Sequence, residues 1–202
     1  EHLVEEQLFK PLGIKHAAFS IDPDTFENIA RPLDASGKFY GFYCRPNGWC
    51  RNEGSYSAAD DVVISLNDYA KFLIAAMDGK GYSKQLLQQR NQVAVDKGSQ
   101  NVVICNKVKK VLCPDSQGYG LGWQVLDYNK FKAIGHGGSD WSEVSLSYFY
   151  TGSNDGLIIF LNAPTERGLS AMADSLTKLD PMSPWRNLYQ RWSAKVTASK
   201  KD

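Results

Sequence analysis

Apolar residues recur along this chain at two different spacings. Near the start, Leu3, Val4 and Leu8 follow helical spacing until Pro11 and Gly13 interrupt it. Ser65-Leu66-Asn67-Asp68 reads as a capping box, and Leu66, Tyr69, Ala70, Leu73 and Ala76 continue as one helical face ending at Gly79 and Gly81. Lys84 to Asn91 predicts a further short helix. From Tyr119 the period drops towards two. Tyr119 to Tyr128, Ala133 to His136, Glu143 to Tyr150 and Leu157 to Asn162 read as strands, and their short polar links favour an antiparallel meander. Helical spacing resumes at Arg167 to Leu179, with Leu169, Met172, Ala173 and Leu176 on one face, and again at Pro184 to Val196. Strands followed by covering helices predict an α+β layer.

The segments between are less regular. Ile21 to Phe42 is rich in Pro, Gly, Asp and Ser and reads as a long excursion with short strands. Gly37 to Tyr43 and Trp49 to Tyr56 flank the turn Pro46-Asn47-Gly48 and predict a hairpin. Val93 to Cys113 reads as an inserted hairpin.

The four cysteines fall in two close pairs, Cys44/Cys50 and Cys105/Cys113, without the spacing of a zinc site. Two local disulfides and an oxidising compartment, periplasmic or extracellular, are the expectation. Four buried thiols are the alternative, and four cysteines allow three connectivities. The three scattered histidines form no metal cluster, so neither metal nor cofactor is expected, and His2 and His16 read as structural or exposed.

The net charge of +1 argues against a nucleic-acid partner, which needs a concentrated basic surface. Lys195 to Lys201 reads as a solvated tail. The apolar run Leu157 to Leu161 is far too short to span a bilayer. No leader segment is visible, and a first residue Glu1 suggests a processed or excised piece.

The candidate chemistry lies in Gly135-His136-Gly137-Gly138-Ser139-Asp140-Trp141. Glycines around a histidine permit close approach to the backbone and leave amide donors free, which an oxyanion site requires. A glycine-rich hairpin carrying a surface histidine is the plainer alternative.

Several segments, in order, resemble the serine β-lactamase and penicillin-binding-protein superfamily, nearest its class C and esterase-like branch. Leu8-Phe9-Lys10-Pro11-Leu12-Gly13-Ile14 resembles that family's "lF-x-PLGM". Ser65 to Leu73 resembles its "STA-x-D-x-A-x-F" helix start, and Tyr119-Gly120-Leu121-Gly122-Trp123 its "YGLGW" strand. Gly135-His136-Gly137-Gly138 is similar to the His-x-Gly that stands for Lys-Thr-Gly in that branch. The resemblance implies a partial β-lactamase/transpeptidase-like fold. Residues 1–118 would form part of a helical subdomain with disulfide-clipped hairpins, and 119–202 the antiparallel strands and C-terminal helices.

In that family a Ser-x-x-Lys motif supplies the nucleophile. This motif and the Tyr-x-Asn motif are expected before Glu1, and the 202 residues are read as lacking both. The resemblance therefore implies the C-terminal part of a serine hydrolase acting by acyl transfer on an amide, lactam or ester, inactive in isolation. The alternative is a non-catalytic binding or scaffold module. By resemblance His136 takes the family's lysine position and the Ser139 N–H is the second oxyanion donor. Gly137 and Gly138 would lie against substrate, and Asp140, Trp141 and Glu143 would rim the cleft. For Trp141 a packing role is the plainer reading. The partners implied are a small-molecule or peptide substrate and the missing N-terminal half.

Overall fold

A computed structural model describes residues 1–21, 26–57, 61–96, 113–153 and 155–198. The first helical segment runs through Pro11 rather than stopping before it. α1 (His2–Val4) and α2 (Lys10–Leu12) flank a π-helical turn, Glu5–Phe9. Pro11 has no N–H to place in the helical ladder, and it sits where α2 begins. Gly13, at φ 64°, ends the segment in the left-handed conformation that glycine adopts freely.

The Ile21 to Phe42 excursion forms no strand among its described residues. It contains a short 3₁₀ turn, Phe26–Asn28, and a single Leu33–Phe39 bridge. An Asx turn closes that bridge, with Asp34 Oδ1 accepting from the Ser36 and Lys38 N–H groups at 2.8 and 2.9 Å. The predicted hairpin around Pro46-Asn47-Gly48 is likewise reduced to one bridge, Cys44–Cys50, closed by a disulfide. Cys113 is also disulfide-bonded, while Cys105 lies outside the described residues.

α3 (Leu66–Met77) starts where its cap predicts, with the Asp68 N–H donating to Ser65 Oγ at 3.2 Å. The reciprocal half of the capping box is not made. Asp68 Oδ2 instead accepts from the Lys15 and His16 N–H groups at 3.0 and 2.7 Å, and Lys71 Nζ donates to Asp68 Oδ1 at 2.6 Å. Asp68 thus ties the first helical segment to α3. Next to it β1 (Ala17–Ala18) pairs antiparallel with β2 (Val63–Ile64). On α3, Leu73 and Ala76 are buried and Leu66 is exposed.

The Lys71 hydrogen bond, with the backbone donors, holds the Asp68 carboxyl well below its ordinary value of 3.8. A depressed folded-state carboxyl contributes stability that is fully present above 3.8. That contribution is lost as pH falls from there through the lower folded value. Asp68→Asn should therefore melt below the parent at neutral pH, with the gap closing as pH drops under about 3.8. Thermal unfolding followed between pH 7 and 2 checks this, and a pH-independent gap would assign Asp68 a purely steric role.

α4 (Lys84–Arg90) follows, and its buried Arg90 donates to the Ala76 carbonyl at the end of α3. Then comes a six-stranded antiparallel sheet in chain order: β3 (Val95–Asp96), β4 (Ser116–Gly120), β5 (Trp123–Asp127), β6 (Lys132–Ser139), β7 (Glu143–Tyr150) and β8 (Gly156–Asn162). The sheet thus draws in residues before 119. Beyond Asp96, the predicted inserted hairpin lies outside the described residues up to Cys113.

Tyr119 to Tyr128 is not one strand. Leu121 at φ 45° and Gly122 at φ 82° form a two-residue turn that folds β4 back on β5. Positive φ at both central residues matches the right-handed twist of a tight hairpin.

The two faces of the sheet are buried by different helices. α5 (Thr165–Leu179) and α6 (Arg186–Ala198) cover one, where Leu169, Met172, Leu176, Trp185 and Leu188 meet Leu126, Ala133, Leu146 and Tyr148. α3 covers the other, where Leu73 and Ala76 meet Trp123, Ile134 and Phe149. The architecture is α+β, as the patterning predicts. No described helix is long and apolar enough to cross a membrane.

Candidate active site

The glycine-rich segment forms the second half of β6, and its orientation follows from its neighbours. His136 lies opposite Ser147 on β7, and Ser147 Oγ hydrogen-bonds Tyr69 Oη of α3 at 2.7 Å. Cross-strand partners share a face, so the exposed His136 stands on the α3 side of the sheet. Its ring lies 5.9 Å from that of Tyr119, at 57°. Burial raises the pKa of the Tyr69 hydroxyl below it.

β5 pairs with β6 only from Lys132 to Gly135. From His136 to Ser139 the strand pairs with β7 alone among the described residues, which leaves its other edge unpaired. The Thr151 N–H donates to the Lys132 carbonyl at 2.8 Å, so even-numbered residues of β6 turn their amides towards β7. The β6–β7 register runs unbroken from 133 to 139. Alternation therefore turns the amides of Gly137 and Ser139 to the unpaired edge.

Packing explains two of the glycines. A Cβ at Gly135 would collide with the Ser147 carbonyl and Tyr148, and one at Gly137 with the Tyr189 hydroxyl. Gly138 meets only Ser145 Oγ, at 3.2 Å. Crowding against β7 is thus sufficient reason for Gly135, and close approach of the sheet to α6 for Gly137.

Asp140 and Trp141 are exposed beyond the end of β6. Their backbones are fixed, with the Asp140 N–H donating to the Glu143 carbonyl at 2.9 Å and the Thr165 N–H to the Trp141 carbonyl at 3.1 Å. Trp141 does not enter the core. Its ring faces the Arg45 guanidinium, 5.7 Å away.

A hydrogen-bonded chain beside this corner has no local signal in the sequence. Tyr40 Oη and the fully buried Ser142 Oγ lie 2.8 Å apart, and Ser142 Oγ donates to Glu143 Oε1 at 2.8 Å. Tyr40 and Ser142 are separated by 102 positions. Desolvation of the carboxyl, with the charge of Asp140 adding to it, raises the Glu143 pKa from its ordinary value, against the Ser142 hydrogen bond.

The expectation that the chain carries no Ser-x-x-Lys is incorrect as a statement about the sequence. Ser175-Leu176-Thr177-Lys178 has that spacing. Its position does not suit the chemistry. Ser175 lies ten residues into α5, where amides are committed to the helical ladder rather than free for an oxyanion, and Lys178 is exposed. Among the described residues no three His, Cys, Asp or Glu side chains are grouped for a metal ion.

No protein-family model matches the sequence, and no curated protein matches it. Solved structures do. The chain shares its fold with a D-amino acid amidase. That enzyme, from Ochrobactrum anthropi SV3, matches in its complex with D-phenylalanine with a TM-score of 0.51 at 21% identity, over 80% of this chain. Its complex with L-phenylalanine amide matches with a TM-score of 0.50 at 21% identity, over 79% of this chain. In both cases this chain spans 44% of the solved chain's length. At that identity the likeness is one of fold.

Proposed function

We propose that these residues are the C-terminal part of a β-lactamase-like serine hydrolase. The observation that carries this reading is the edge of β6 from His136 to Ser139, unpaired among the described residues, with the Ser139 amide turned outward on a fold shared with an amidase. In the reaction a serine Oγ attacks an amide, lactam or ester carbonyl, its proton passes to a base, and the amine or alcohol leaves. Water then hydrolyses the acyl-enzyme. The Ser139 N–H would bind the carbonyl oxygen as it gains charge, together with the nucleophile's own N–H. His136, on the adjoining face, would orient a catalytic hydroxyl or the substrate. The nucleophile and its lysine are assigned to residues preceding Glu1. A simple amide is the first acyl donor to test, since the solved complexes include an amino-acid amide. The Cys44–Cys50 disulfide favours a periplasmic or secreted setting.

An acylating serine-hydrolase probe, reacted with the complete protein and mapped by mass spectrometry, tests the reading. Stoichiometric labelling of a serine upstream of Glu1 is expected, with residues 1–202 unlabelled. Labelling at Ser175 would relocate the nucleophile, and no labelling would favour the non-catalytic binding module.

A further inference from the structure

The disulfide-closed turn carries two arginines with different surroundings. Arg51 is fully engaged: it forms a two-point ion pair with Asp61 and lies over the Tyr43 ring, 5.4 Å from its centroid. Arg45 is exposed, and among the described residues its side chain has ring partners only. Its guanidinium carbon sits 5.0 Å from the Trp49 centroid and 5.7 Å from the Trp141 centroid. No carboxylate among the described residues lies within ion-pair distance of it.

The backbone holds this arrangement in place. The Cys44–Cys50 disulfide closes the turn, the Arg45 N–H donates to the Trp49 carbonyl at 2.8 Å, and the Gly48 N–H donates to the Arg45 carbonyl at 2.9 Å. Trp141 is anchored from the other side by Thr165. Both indoles remain near half exposed, Trp49 at 54% and Trp141 at 45%. Two half-exposed tryptophans and an exposed arginine with no acidic partner among the described residues present apolar rings and a cation to solvent without supplying a core. A guanidinium stacked between rings has a restricted orientation and keeps its in-plane N–H donors, which suit two-point recognition of a carboxylate.

The position adds a direction. Trp141 lies two residues past Ser139, in the turn that joins the end of β6 to β7. A substrate lying along the unpaired edge of β6 would run towards Arg45. Asp140 and Glu143 flank Trp141 in sequence, so an anion reaching this corner depends on the guanidinium to offset their repulsion.

We infer that Arg45, held between Trp49 and Trp141, binds the terminal carboxylate of a substrate laid along the His136–Ser139 edge. This rests on the hydrolase reading for the identity of the bound molecule as substrate, whereas the carboxylate site itself does not require catalysis.

Two measurements on the complete protein separate these. In the first, N-acetylglycine and N-acetylglycinamide are titrated while the indole N–H resonances of Trp49 and Trp141 are followed, assigned with Trp49→Phe and Trp141→Phe. The carboxylate should move both resonances saturably, the neutral amide should not, and Arg45→Gln should abolish the response. Equal responses to acid and amide, or a response surviving in Arg45→Gln, would overturn the carboxylate site. In the second, kcat/KM is measured for two esters differing only in a terminal carboxylate or carboxamide. The acid-to-amide ratio should fall about 10–100-fold in Arg45→Gln, the range for a hydrogen bond to a charged group. Arg45→Lys should fall between, because it keeps the charge and loses the fork. An unchanged ratio would overturn the role in substrate selection. If neither ester is turned over, the hydrolase reading fails and the titration alone decides the site.

Discussion

Replacing Trp185 with alanine should destabilise the protein by about 3–5 kcal/mol, the range for truncating a buried large aromatic residue. Trp185 is 1% exposed and stacks on Tyr148, with ring centroids 4.6 Å apart. Its indole N–H donates to Gln124 Oε1 at 2.8 Å, across 61 positions of sequence. Truncation therefore opens a cavity between α6 and the sheet and also strands a buried acceptor on β5. Trp185→Phe separates the two costs. It keeps most of the ring packing and leaves Gln124 without its donor, for an expected loss of about 1–3 kcal/mol. Urea unfolding should show a lower midpoint with an unchanged slope in both variants. A loss below about 1 kcal/mol for Trp185→Ala would mean that the Trp185 ring contributes little to the packing at the start of α6.

That dependence on α6 was partly legible from the sequence. Spacing alone marks Trp185, Leu188 and Tyr189 as one face of a helix, and Leu169, Met172 and Leu176 as another. These stripes meet each other and the sheet in one core cluster. The pairing of Trp185 with Gln124 is not legible, because a polar residue in a strand carries no sign of the donor it will meet. The β4–β5 turn is hidden for a related reason. Leu121 at positive φ is a poor turn residue by composition, so Tyr-Gly-Leu-Gly-Trp reads as a continuous strand. The Ser65 cap is visible because it is local, whereas the capture of Asp68 by the Lys15 and His16 amides spans more than fifty positions. Distance also hides the Tyr40–Ser142–Glu143 chain and the Arg45–Trp141 contact, so the sequence locates β6 but not the corner built around its end.

The glycines of β6 show where motif reading needs packing beside it. Gly135 and Gly137 are accounted for by Tyr148 and Tyr189, whatever the chemistry at the edge. A glycine-rich string here is therefore weak support for an oxyanion site. The stronger support is the register, which ends the β5 pairing at Gly135 and turns the Ser139 amide outward. His136 is different again, since no packing demand in the structure calls for a histidine there. It is exposed, sits above Ser147 on the α3 side, and has the Tyr119 ring as its aromatic neighbour.

His136→Ala in the complete protein should consequently lower the acylation rate about 10²-fold or more, as expected for a positioned acid–base or electrostatic group. Its stability should change by no more than about 0.5 kcal/mol, because an exposed side chain leaves no cavity when removed. Pre-steady-state acylation by an amide or ester substrate, paired with urea unfolding, separates the two quantities. His136→Lys gives a sharper comparison. If the position serves to present a positive charge or a hydrogen-bond donor to the reacting group, lysine should recover part of the lost rate where alanine cannot. A purely steric or surface role would leave the two variants alike. Acylation within a few fold of the parent in His136→Ala would reduce this residue to a surface histidine on a glycine-rich strand, and the proposed site would then rest on the Ser139 amide alone.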